Sequence, residues 1–141
     1  MDKERILAKI DEMDGYLEEL ESIRPSTFEE YESSIEKKRA CERLLQLAIE
    51  CVIDVCAMIV KECKLGLPAD EDDMFRKIRK AGVINNELEE KLRKMKGFRN
   101  ILIHRYGEID DELVFEKLFM IEDFEKFKEA VLEFLRKGEI E

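Results

Sequence analysis

Histidine occurs once in this sequence, no two cysteines form a CxxC pair, and proline and glycine supply only two and six of its 141 residues. Each scarcity excludes something. Cys41, Cys51, Cys56 and Cys63 are spaced 10, 5 and 7 apart, so with a single imidazole a zinc site would have to form without any motif. No metal is expected, and the thiols read as buried apolar groups. Scarce proline and glycine, with 43% charged and 45% apolar residues, describe a soluble helix-rich globule rather than a disordered chain. Long hydrophobic runs are missing too. The best, LAIECVIDVCAMIV (Leu47 to Val60), is too short for a bilayer and carries Glu50 and Asp54. The opening MDKERILAKIDEMDGY is too acidic for a signal peptide. A cytoplasmic protein with no membrane association is expected.

What the sequence does contain is helical periodicity. Ile6, Ile10, Met13, Leu17 and Leu20 alternate steps of four and three, the seam of a bundle helix over about Lys3 to Ser22. RPST ends it, and Ser26 can cap a long second helix from about Thr27 to Cys63. From Leu44 onward that helix is apolar on nearly every side except a stripe of Arg43, Gln46, Glu50, Asp54 and Lys61, so it is central or shared with a second chain. LGLPADEDD breaks it, and Asp70 or Asp72 starts a short third helix through about Lys80. Asn85 or Asn86 caps a fourth with the seam Leu88, Leu92, Met95, Arg99 and Leu102, and Gly107 supplies its stop. Asp110 or Asp111 caps a last stretch containing Leu113, Phe115, Leu118, Phe124, Phe127, Val131 and Leu135, with a break near Glu122. Strand alternation, repeats and linkers are lacking. The predicted fold is all-α, an antiparallel bundle of four to five helices forming one domain over residues 1–141.

The net charge of −10 repels a phosphate backbone and argues against a general nucleic-acid binder. Locally the balance reverses. Lys91, Arg93, Lys94, Lys96, Arg99 and Arg105 crowd the window from Lys91 to Tyr106 without one acid, which makes either a focused anion site or a solvated helix face. Inside it lies RNILIHRY, Arg99 to Tyr106, with the lone histidine. Arg99 interrupts an apolar seam, where an unpaired guanidinium is costly. Something anionic should meet it, and Glu50 or Asp54 of the central helix is the internal option. His104 lies about 140° around the helix from Arg99 and roughly 7.5 Å along it. Asn100 and Lys96 precede it by one and two turns, so Asn100 is placed to orient the imidazole, although a histidine at a helix end also caps carbonyls. Gly97, within the same helix, costs roughly 1 kcal/mol relative to alanine. It marks a kink, a close backbone approach, or chance.

RNILIHRY matches the R-x4-H-x-Y signature of HepT-like proteins, a branch of the HEPN superfamily of helical ribonucleases. RLLQLAIECVIDVCAMIV resembles that family's central helix, and GVINNELEEKLRKMKGFRNILIHRYGEIDDELVFEKL resembles its fourth helix and the segment after it, so the likeness covers about Arg43 to Leu118. The resemblance implies a homodimer whose paired fourth helices form a composite cleft, and RNA cleavage there by Arg99 and His104 without metal or cofactor. Asn100 is then supporting, Glu50 and Asp54 match acidic positions of the family's central helix, and Lys96 and Arg105 are expected phosphate contacts. A small MNT-type nucleotidyltransferase antitoxin is the implied partner, transferring AMP from ATP to Tyr106 and so silencing the nuclease. The residue types suit the chemistry: histidine exchanges protons near neutrality, and arginine offers a permanent planar fork for phosphate oxygens. One chain has one histidine, and a symmetric dimer supplies two. The alternatives are a non-catalytic HEPN module that binds nucleotide or docks the transferase, and a structural bundle in which Arg99 is simply ion-paired.

Overall fold

Apolar residues at helical spacing, punctuated by polar capping residues, produce seven helices in the computed structural model, which describes residues 2–104 and 108–140. They are α1 (Lys3–Ile23), α2 (Phe28–Ser33), α3 (Ile35–Glu62), α4 (Glu71–Lys80), α5 (Asn86–His104), α6 (Asp111–Lys117) and α7 (Glu122–Ile140). The all-α bundle is as predicted. The number of helices is larger, because two stretches read as continuous are interrupted.

α1 turns Ile6, Ile10, Met13, Leu17 and Leu20 inward, the whole of its predicted seam. It lies antiparallel along α3: the Asp2 N–H donates to Glu62 at 3.1 Å at one end, and Lys9 pairs with Asp54 at 3.6 Å further along. α3 is the central helix, with Leu45, Ala48, Ile49, Val52, Val55, Cys56, Ile59 and Val60 buried. Cys41, Cys51 and Cys56 are buried free thiols and Cys63 is half-buried. Burial pushes the Cys41 thiol up to about 11 and that of Cys51 up to about 12, which keeps both protonated and unreactive.

The predicted second helix is broken at Ser34. There the backbone is extended, with φ −118° and ψ 106°, and the hydroxyl accepts the Lys37 N–H at 3.2 Å, starting α3 afresh. A serine hydroxyl competes for backbone partners in this way, which is why serine favours caps over helix interiors. The short α2 before it is capped by Thr27, not Ser26. Its orientation is held by a ring cluster: Phe28 and Tyr31 pack on Phe115 of α6 at 5.8 Å and 5.6 Å between centroids.

The turn from α4 to α5 fixes the part of the bundle that matters most here. Gly82 has φ +85°, its N–H reaches the Arg79 carbonyl at 3.0 Å, and the Val83 N–H reaches that of Ile78 at 3.0 Å. This is a Schellman ending, in which a glycine adopts the left-handed conformation and two orphan carbonyls are satisfied. Val83 and Ile84 then enter the core, and Asn85 caps α5 by accepting the Leu88 N–H at 2.8 Å. Glu89, on the first turn of α5, locks the two helices together. It accepts from Arg79 of α4 and, at 2.8 Å, from Arg93 one turn along α5. α7 covers the remaining side with Phe124, Phe127, Val131 and Leu135 buried, tied to α1 by Lys128–Asp14 at 2.6 Å and to α5 by Lys91–Asp123 at 3.0 Å.

Burial alone would push the Glu89 carboxyl up, but the bonds from Arg93 and Arg79 outweigh it and hold the group below the usual carboxylate range. Glu89→Gln is therefore expected to destabilise the protein by about 2 kcal/mol at neutral pH, hydrogen bonds to charged groups being worth about 1.5–3 kcal/mol. Because the folded carboxyl titrates below its unfolded value of about 4.5, the wild-type advantage is complete above that pH and drains away as pH falls through the lower folded value. Urea unfolding of both proteins at pH about 7 and about 3 checks this, and a gap of the same size at both would contradict it.

Candidate functional site

α5 carries both the arginine and the histidine of the sequence motif, and α4 decides what surrounds the arginine. Asp70 caps α4 by accepting the Asp73 N–H at 2.7 Å, so Glu71 and Asp72 stand in its first turn. With the helices joined as described, that turn lies against the middle and far end of α5. Asp72 pairs with Lys96 at 2.9 Å and with Arg93 at 3.5 Å, while Arg99 Nη2 donates to Glu71 Oε1 at 2.5 Å. The Arg99 side chain is only 13% exposed and that of Glu71 is 34% exposed. Arg99 Nε is buried and meets no hydrogen-bond acceptor among the described residues.

The anion required by an arginine on an apolar seam is thus present, but it is not the one expected. Glu50 accepts from Gln46 on its own helix at 3.0 Å, and Asp54 faces α1 through Lys9. Both are engaged where α3 has another use for them, and Glu71 reaches Arg99 because the α4–α5 turn brings it back. The predicted basic window is likewise neither a solvated face nor a bare anion site. Lys91, Arg93, Lys96 and Arg99 all have carboxylate partners, and Lys94 alone of the cations from Lys91 to Arg99 has no ion pair among the described residues.

His104 is the last residue of α5 and is exposed, with no hydrogen bond or ion pair among the described residues. Asn100, one turn before it, is half-buried and makes no hydrogen bond to it within the chain. Arg105 and Tyr106, expected as a phosphate contact and a modification site, lie outside the described residues, as does Gly107. Gly97 is not forced by packing inside the chain: no neighbouring element comes within 4 Å of the place a Cβ would take. The site residues missed at the level of sequence are Glu71 and Asp72. Their signal was the run ADEDD, which registers only as a helix start when read locally.

The arrangement offers two different tools on one helix. Arg99 is a cation already held in place, and His104 is a free imidazole about 140° away around the axis. The first can neutralise phosphate charge and the second can move a proton. A single copy does not turn them toward one point.

Comparison with known proteins places this geometry. The profile of a family described as HepT-like, ribonuclease HepT-like, matches residues 13–131. A candidate RNase of Archaeoglobus fulgidus is 34% identical over 139 residues, covering 99% of this chain and 94% of its own length. A tRNA nuclease HepT of Aphanizomenon flos-aquae is 32% identical over 100 residues, covering 71% and 68%. Among solved structures, the tri-AMPylated Shewanella oneidensis HEPN toxin in complex with its MNT antitoxin superposes with a TM-score of 0.83 at 25% identity, over 91% of this chain and 96% of that one. With its motif, bundle and relatives in agreement, the chain belongs to the HepT-like ribonuclease family.

Proposed function

We propose that this chain is a metal-independent endoribonuclease, the toxin of a toxin–antitoxin pair, whose active site is completed when two copies pair along α5. The observation that carries the proposal is the division of α5 into a packed face and an open one. Arg99 and its neighbours are turned to α4, while on another side Gly97 meets nothing within 4 Å where a Cβ would stand, Asn100 is half-buried and His104 is exposed. A glycine without steric need in its own chain permits a second helix to approach closely. Two-fold pairing there would bring two imidazoles and two guanidiniums to one cleft.

The chemistry follows from the groups. Cleavage at a 2′-hydroxyl needs a base to take its proton, an acid to protonate the departing 5′-oxygen, and positive charge for the phosphorane. His104 of the two copies would serve as base and acid, and Arg99 would supply the charge without any metal. Asn100 would hold the imidazole across or along the interface, and Lys96 and Arg105 would contact flanking phosphates. Dependence on the 2′-hydroxyl restricts the substrate to RNA. A nucleic-acid nuclease in the named relative and the toxin in the superposed structure support this reading. The latter, AMPylated and bound to an MNT antitoxin, supports a nucleotidyltransferase as partner, and the place of Tyr106 in the motif makes it the acceptor we propose. An AMP on Tyr106 would set a bulky anion two residues from His104, where substrate phosphate must bind.

A second reading, a HEPN module that binds nucleotide or docks the transferase without turnover, draws on the ion pairs. Four cations of α5 are already neutralised, which weakens the attraction of a long phosphate chain.

Incubated with RNA in EDTA, the purified protein is expected to release fragments, and His104→Ala to lower the rate by about 10²- to 10⁴-fold, the usual worth of general acid–base catalysis. Cleavage by both proteins at one rate removes His104 from the mechanism. RNA binding by the wild type with no fragments favours the second reading.

Incubation with a partner nucleotidyltransferase and ATP is expected to add AMP to the wild type and abolish RNA cleavage. Tyr106→Phe should take up no AMP and remain active. Intact-mass and peptide mass spectrometry check the claim, and adducts on any other residue of the variant would refute it.

A further inference from the structure

Glu71 makes the shortest polar contact to the arginine of the motif, yet it lies 28 residues away on a different helix and would be taken for an ordinary acidic first-turn residue. It also serves folding, since removing the partner of an arginine only 13% exposed leaves a largely buried charge unmet. Its effect on Arg99 is another matter. The guanidinium sits with Nε buried and unpaired among the described residues, a pose that costs free energy and that arginine would not adopt unaided. A side chain with so many rotatable bonds would otherwise swing toward solvent and satisfy all five of its N–H groups. Among the described residues, what holds it is the bond from Nη2 to Glu71.

We infer that Glu71 is a positioning residue for RNA cleavage: it clamps one corner of the Arg99 guanidinium so that the rest of the fork stays aimed for a phosphate. Asp72 does the same for Lys96, one turn earlier on α5. The inference rests on the ribonuclease reading above. A carboxylate on Nη2 leaves Nη1 for the substrate, Nε being buried, so it can orient the cation without replacing the ligand. Precision of this kind matters, because misplacing a charge by about 1 Å can cost roughly 100-fold in rate.

The test compares wild type, Glu71→Ala and Glu71→Gln. Steady-state cleavage of a short RNA is measured alongside thermal unfolding and the heteronuclear NOE of the Arg99 Nε–H, assigned by its loss in Arg99→Lys. For Glu71→Ala, kcat is expected to fall roughly 10- to 100-fold with KM within about twofold. Some loss of thermal stability is expected with it, so the rates are compared well below both melting temperatures, and the Arg99 Nε–H, rigid in the wild type, should become mobile. Glu71→Gln retains an accepting oxygen and should recover most of the rate. Three results overturn the inference: unaltered kcat in Glu71→Ala, a gain in cleavage showing that Glu71 guards rather than holds Arg99, or an Arg99 Nε–H equally ordered in both proteins. If the wild type cuts no RNA while Arg99 still loosens in Glu71→Ala, the clamp stands and the ribonuclease reading falls.

Discussion

A guanidinium on the core side of a helix has to be met by a carboxylate, and that requirement organises the half of the molecule around α5. Arg99 occupies a position that its seam reserves for an apolar residue, so the bundle must deliver an anion to the same place. α4 is the element that does so. It is ten residues long, starts at a strong cap, ends in a Schellman turn and is bolted to α5 through Glu89. Each of these features fixes the direction in which Glu71 and Asp72 point. The short helix therefore carries more of the site than its length suggests.

The same pairing explains how an acidic protein keeps a basic stretch folded. With 35 acidic and 25 basic residues, unpaired carboxylates elsewhere repel one another, and every cation that finds two acids relieves some of that repulsion. Asp72 bridges Lys96 and Arg93, and Glu89 bridges Arg93 and Arg79, so charge alternates through a network rather than through isolated pairs. On the proposed reading, a substrate phosphate approaching this face would meet cations that already have partners. It must gain from geometry and proximity what the overall field of the molecule withholds.

How far the fold could be read in advance depended on whether the deciding interaction was local. The seam of α1 and the caps Asp70, Asn85 and Asp110 rest on contacts within a few residues, and the periodicity displayed the seam while cap chemistry narrowed each cap to two candidates. Thr27 and Ser34 were harder. A run such as FEEYESSIEKK continues plausibly as helix, and the break is decided by Phe115 of a distant helix receiving Phe28 and Tyr31. The partner of Arg99 was illegible for the same reason. The sequence shows that an acid is needed but holds acids in nearly every segment, and Glu50 and Asp54 were the nearest on a helix recognisably central. Only the angle at which Gly82 turns the chain selects Glu71. The motif itself, by contrast, is a run of adjacent residues and was legible at once.

The unlike treatment of Arg99 and His104 has its own logic. A residue that supplies permanent charge works through where it is, since its protonation never changes, and its ideal environment is one that removes freedom. On the proposed reading each imidazole exchanges a proton with one oxygen, as base in one copy and acid in the other, and burial with a fixed partner would bind it to a single state. The helix separates the two needs by rotation: about 140° of turn puts the arginine under α4 and leaves the imidazole at the open end. Under the same proposal, a two-fold axis beside that open end would recombine what one chain separates, setting the packed arginine of one copy near the exposed histidine of the other. On the proposed reading, the spacing of four residues within the motif follows from this geometry. One residue earlier the imidazole would stand at the exposed position of Ile103, about 40° around the helix from Arg99, and the two groups would open on nearly the same side.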